Sequence, residues 1–266
     1  MVVGSNAVKL KAKEALKGNW INAIITALVI SLAFFGGYIV FSLLSSILPL
    51  AFSGLYLVLF VIFLLTPLVL GVIRNFWYLS YFKAIHPIHC FYYFSDKKLY
   101  SRALKLIGTL IAKIIGHSVI IFLPTIVFEI VSSEHLYKLL DIPIPLWTTN
   151  FEYIAVFLRT MSIVFLFFVM MKYYSAPILV VSNDEMDIEE AIYMSKIISK
   201  GSLLEFIYLF FSFLGWIVSS FFYFPFLFTL PFMLTAYAIH TNFAIEDYNQ
   251  RISELEEANS SYSVGV

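Results

Sequence analysis

The chain has 266 residues, of which 61% are hydrophobic, 18% aromatic and only 13% charged, with 17 basic residues balancing 17 acidic ones. Soluble domains carry about 25% charged and about 45–50% apolar residues, and a chain of this size folded in water could not bury so much apolar surface. These figures exclude most soluble enzyme folds, nucleic-acid binders of the basic-patch kind, and disulfide-stapled secreted domains, the last because Cys90 has no second cysteine to pair with. The class that remains is an integral membrane protein with no nucleic-acid partner.

In chain order, the first element is a basic arm. Val8, Ala12, Ala15 and Leu16 recur at helical spacing opposite Lys9, Lys13 and Lys17, the pattern of an amphipathic helix lying at an anionic lipid surface. Lys9, Lys11, Lys13 and Lys17 are its candidate headgroup contacts. The apolar stretch that follows is longer than a signal-peptide core of about 7–15 residues, so it is expected to stay as an anchor.

Between Lys17 and Arg74 lie 56 residues without Asp, Glu, Lys or Arg. A crossing takes about 20 residues at 1.5 Å each, so this run makes two spans, 20–48 and 52–73, with a turn at 49–54. Residues 106–131 and 153–171 are apolar and long enough to cross, although the first carries Lys113, His117 and Glu129 and the second Arg159. The segment 132–150 between them has the Pro and Asn punctuation of a loop. Forty uncharged residues between Glu205 and Glu246 make two more spans, 203–222 and 226–243, hinged at Tyr223-Phe224-Pro225. Continuous apolar runs rule out the alternating strands of a β-barrel. The expected fold is therefore an all-α polytopic bundle of six transmembrane helices, a single membrane domain over residues 1–245, with an acidic, flexible cytoplasmic tail over 246–266.

Basic residues accumulate in short cytoplasmic loops. With six spans, 14 of the 17 fall on the face that carries both termini, which makes that face cytoplasmic. The same face is basic in its first half and acidic in its second. Two further pieces on it are expected to be interfacial. In 183–201, Ile188, Ala191, Ile192, Ser195 and Ile198 form a stripe; Asn183 or Asp184 is placed to cap it and Gly201 to close it. Residues 87–104 are aromatic and basic. Each interfacial piece precedes a pair of spans, and Lys17-Gly18-Asn19 matches Lys200-Gly201-Ser202, which suggests a threefold hairpin repeat.

Several residues could carry chemistry. Arg159 sits about 10 Å into its span by helical rise, where an unpaired Arg is costly, and Glu129 reaches a similar depth as its partner. Lys113 and His117 share one helix face, and His240 lies near the inner end of the sixth span. His86, His89 and Cys90 lack the second ligand pair of a structural zinc site, so no metal and no cofactor is expected. Gly36-Gly37 and Gly215-Trp216 are small-residue notches for helix packing, and Pro67, Pro124 and Pro231 are expected to kink their spans. Zincin, Gly-x-Ser-x-Gly and Walker patterns are missing, and Glu189-Glu190 lacks the following Arg of prenyl-protein proteases, since Met194 stands there.

Ala176-Pro177-Ile178-Leu179, Glu190-Ala191-Ile192 with Ser195-Lys196, Ser212-Phe213-Leu214-Gly215-Trp216, Pro231-Phe232 and the opening Lys17-Gly18-Asn19-Trp20 together resemble a bacterial multi-pass membrane protein family catalogued as domain of unknown function 975. The resemblance implies a bacterial cytoplasmic membrane and family packing roles for Lys17, Gly18, Trp20, Ser212, Gly215, Trp216 and Pro231. It supplies no activity. The expected function is a non-enzymatic membrane component that binds lipid, or a membrane or cytoplasmic protein partner. The alternative is a small transporter or channel with its polar site around Arg159 and Glu129.

Overall fold

The computed structural model of the chain describes residues 4–81, 83–133, 139, 151–219 and 223–263. Every element among them is helical. Four stretches, Trp20–Ile47, Ala51–Ser80, Lys97–Ser132 and Tyr153–Ser182, are long and apolar enough to cross a membrane. The chain divides into two compact units, Met1–Ile107 with Tyr173–Val266, and Gly108–Lys172.

In the first unit, α1 (Ser5–Leu16) departs from expectation. Val8, Ala12, Ala15 and Leu16 are buried, Val8 and Ala12 against Leu209, Phe213, Ala236 and Ile239, and Ala15 and Leu16 with Val72 and Phe76. The stripe faces protein instead of lipid. Two of its four members are alanines, which give little apolar area to a bilayer but let helices approach closely. Gly18, at φ +85°, then turns the chain into α2 (Trp20–Ile47), a conformation other residues adopt only with strain.

The notch expected in α2 is used at one of its two glycines. A Cβ on Gly37 would lie 2.2 Å from the Phe60 ring of α3 (Leu50–Phe60), whereas one on Gly36 would meet nothing. A π-helical turn, Val61–Leu65, joins α3 to α4 (Thr66–Ser80). Pro67 cannot donate to the Phe63 carbonyl, and the wider turn absorbs the mismatch. Tyr100 Oη donates to that carbonyl oxygen at 2.9 Å, and Thr66 Oγ1 donates to the Val61 carbonyl at 3.0 Å.

Leu68, Val72, Phe76 and Leu79 of α4 form the centre of the core. A 3-10 helix, Pro87–Phe94, lies so close to α4 that a Cβ on Gly71 would stand 2.0 Å from the Cys90 carbonyl oxygen. The piece expected at 87–104 is thus two elements, this 3-10 helix and the start of α5 (Lys97–Ser132).

Two elements run on where the sequence suggested boundaries. After the short α7 (Ala176–Ser182), α8 (Ile188–Phe211) passes straight through Gly201. Its cap is Asp187, whose Oδ2 accepts from Glu189 N at 3.2 Å, while Asn183 Oδ1 accepts from Glu185 N and Met186 N. Gly201 does not close the helix; it makes room for the Arg251 guanidinium, which a Cβ would approach to 2.6 Å. The Lys-Gly matches at 17–18 and 200–201 therefore do different jobs, a corner in one case and a packing gap in the other, and the threefold repeat loses that support. The helix breaks at Ser212-Phe213 before α9 (Leu214–Ser219). The hinge expected at Tyr223-Phe224-Pro225 is instead the first turn of the last helix, and residues 220–222 lie outside the described residues.

The last helix, α10 (Tyr223–Ser263), crosses Pro231 without a break and continues through the segment expected to be flexible. There Gln250 Nε2 donates to Glu254 at 3.1 Å and Arg251 pairs with Asp247, i,i+4 contacts that support a helix. Of the loop expected at 132–150, residues 134–138 and 140–150 lie outside the described residues.

The second unit holds the remainder of α5 and α6 (Phe151–Met170). Thr125 and Ser162, both buried, share a hydrogen bond of 3.0 Å. Pro124 sits inside an unbroken α5.

Candidate functional site

The densest polar constellation lies in the first unit, where the end of α4 meets the 3-10 helix, the head of α5 and the link from α7 to α8. Arg74 is buried, with its side chain 10% exposed, and its Nη1 donates to both Asp184 oxygens at 2.9 and 3.1 Å. Its Nη2 donates to Tyr78 Oη at 3.2 Å, and its guanidinium carbon lies 3.7 Å from the centre of the Tyr92 ring, within cation–π range. Tyr92 Oη donates to Asp184 Oδ2 at 2.8 Å. Arg102, one turn into α5, donates to the carbonyls of Val180, Asn183 and Asp184. It thereby satisfies carbonyls that the end of α7 leaves open, at the negative end of the helix.

Burial by itself would raise the Asp184 carboxyl, but hydrogen bonds from Arg74 and Tyr92 and the charges of Arg74 and Arg102 outweigh it and hold Asp184 below the ordinary carboxylate range. Burial pushes the Tyr93 phenol up to about 12. Lys105 Nζ donates to Asp187 Oδ1 at 2.7 Å, which lowers the Asp187 carboxyl. Beside these groups opens a cleft of about 470 Å³ lined by Lys98, Ser101, Arg102, Lys105 and the segment from Asp184 to Ile188. The arrangement ties α4, the 3-10 helix and the head of α5 to the link between α7 and α8 by charge-assisted bonds, and presents lysines at the cleft.

The residues named from sequence do not form one site. Arg159 Nη2 donates to Glu129 Oε1 at 2.5 Å, with the side chains 57% and 38% exposed. Lys113 and His117 share a face of α5, His117 Nδ1 donating to the Lys113 carbonyl at 2.6 Å. Twelve residues of helix, about 18 Å, separate His117 from Glu129. His240 belongs to the other unit, 3% exposed, 5.7 Å from the rings of both Tyr174 and Phe206, and its ring nitrogens have no hydrogen-bond partner among the described residues. Among the described residues no group of three or more His, Cys, Asp or Glu is placed to hold a metal.

Sequence reasoning missed Arg74, Tyr92, Arg102 and Asp184. In the sequence Arg74 and Arg102 read as two of the basic residues of one membrane face and Asp184 as a helix cap, and nothing in the chain links position 74 to position 184. Two of the family-motif packing residues meet α10: Trp20 lies 6.1 Å from Phe228 and Trp216 6.2 Å from Phe232, which Phe213 also approaches to 5.3 Å, and Pro231 is a buried residue of α10 itself. Lys17 and Gly18 make the corner before α2, and Ser212 marks the break after α8. Gly215 is no notch here, since a Cβ on it would meet nothing within 4 Å.

An all-helical chain with four helices fit to cross a bilayer is a membrane-embedded protein. It belongs to the family described as protein of unknown function (DUF975), whose model matches residues 1–243. No curated protein and no solved structure matches the chain.

Proposed function

We propose that the chain is a non-enzymatic component of a bacterial cytoplasmic membrane, crossing it six times with both termini in the cytoplasm, and that its basic cytoplasmic surface gathers anionic phospholipid. The observation that carries this is α1. Its apolar stripe is packed into the protein, so its three lysines and Lys17 just after it are held as an array: Lys9 over the Phe213 ring at 4.6 Å, Lys11 over the Phe243 ring at 4.2 Å, and Lys13 and Lys17 exposed. Fixed cations near a membrane surface contribute about 1 kcal/mol each toward anionic lipid.

The test is the lipid that stays with the protein in nanodiscs of equal phosphatidylglycerol and phosphatidylcholine. Enrichment of phosphatidylglycerol is expected, falling at least about fivefold in a variant with Lys11, Lys13 and Lys17 changed to Ala. Bound lipid at the bulk ratio in the unaltered protein ends the proposal.

A second reading, a small transporter or channel, is favoured by one observation, the Arg159–Glu129 pair inside an apolar hairpin, where charges usually mark a polar path. It requires water at the pair. Glu129→Cys in a Cys90→Ser background, reconstituted in vesicles, should then react with a membrane-impermeant thiol reagent; failure to react, with the protein inserted, leaves the pair as a staple between α5 and α6.

A further inference from the structure

An apolar pocket of about 340 Å³ lies between α8 and α10, a volume within the range of ligand sites. Its wall is built from Phe206, Leu209, Phe210 and Phe213 on one side and Leu230, Met233, Leu234 and Tyr237 on the other, with Tyr174 alongside. At one end α8 breaks, and the carbonyl oxygen of Ser212 accepts from Lys9 Nζ at 2.9 Å. Phe213 is shared by both features: it lines the pocket and carries the Lys9 ammonium 4.6 Å from its ring centre.

Lys9 is an unneutralised cation. Among the described residues its partners are that carbonyl and that ring, and no carboxylate is one of them. Partial burial already pushes its pKa below the ordinary lysine value, which reports the cost of holding this charge away from water. A cation of this kind favours an anion, and an aromatic and aliphatic pocket one ring away favours a hydrocarbon chain. Together they match a molecule that is anionic at one end and apolar at the other.

We infer that the α8–α10 pocket takes an acyl chain of an anionic phospholipid whose phosphate is held by Lys9. The inference rests on the lipid-binding function proposed above and gives it a specific site. The other lysines of α1 act through the general potential of the surface, whereas Lys9 acts on one bound molecule.

The experiment is native mass spectrometry of the full chain released from nanodiscs of equal phosphatidylglycerol and phosphatidylcholine, comparing unaltered protein, Lys9→Ala, Lys9→Arg and Met233→Trp. Lys9→Ala is expected to lower the ratio of tightly retained phosphatidylglycerol to phosphatidylcholine by about tenfold, the loss of one hydrogen bond to a charged group, while Lys9→Arg keeps most of it. Met233→Trp fills the pocket and is expected to remove one retained lipid of either kind. A phosphatidylglycerol preference that survives Lys9→Ala overturns the headgroup assignment, and a retained lipid that survives Met233→Trp overturns the pocket. Either result leaves the general surface preference standing. A preference absent from the unaltered protein is the separate failure of the proposed function. Thermal unfolding of each variant identifies any that is misfolded, and Lys9→Gln and Leu234→Trp then stand in for it.

Discussion

Each compact unit holds an Arg–carboxylate pair, and the two are built differently. In the first, Arg74 is gripped by Asp184, Tyr78 and the Tyr92 ring, while Tyr92 also donates to Asp184 and Arg102 holds the backbone of the same link. In the second, Arg159 meets Glu129 through a single hydrogen bond, with both side chains over a third exposed. A buried guanidinium is tolerated where several groups share its charge, and removing one strands the rest. A lone pair has only its one partner to strand. Physical weight therefore follows the number of partners and not the strangeness of the residue's position in the sequence.

The comparison can be broken by mutation. The largest effect is expected from Gly71→Ala, whose new Cβ would overlap the Cys90 carbonyl on which the frame of the Arg74 cluster rests; overpacking should cost about 3 kcal/mol, read as a lower thermal midpoint in detergent. Arg74→Met should follow at about 2 kcal/mol, because it leaves the Asp184 carboxylate with its burial cost and without its main counter-charge. Tyr92→Phe keeps the ring under Arg74 but removes one bond to Asp184, for about 1 kcal/mol. Arg159→Met is expected to cost less than Arg74→Met, because it strands one carboxylate alone. If it costs as much as Arg74→Met, the contrast between the two pairs is wrong.

The smallest effect is a pH dependence. The folded-state pKa of Asp184 is lowered, so its contribution is fully present above the unfolded carboxylate value of about 4 and is lost as pH falls through the lower folded value. Thermal midpoints of unaltered protein and Asp184→Asn should differ by a constant amount from pH 7 to about pH 5 and converge below about pH 4. A gap that persists at low pH would mean that the Asp184 charge is not what the cluster uses.

Arg159 was legible because it interrupts an apolar run, and its partner Glu129 because helical rise puts both at similar depth. Arg74 was hidden by the same logic: it ends a charge-free run, where a cation looks like a marker of the membrane boundary. The helical stripe of α1 was equally plain, but a one-dimensional pattern gives the angle of an apolar face and not the identity of what covers it. Gly201 had the residue type of a helix end, yet α8 continues because Arg251, fifty residues later, occupies the space a side chain would need.

The sequence by itself determined the solvent and the helical class. Long runs without charge require a bilayer, and in a bilayer continuous apolar segments must be helices because every backbone polar group has to bond internally. Tertiary structure alone decided which charges meet, which faces are covered and where the chain divides. Those outcomes depend on contacts between residues such as Arg74 and Asp184, 110 positions apart, and no local spacing encodes a contact at that range.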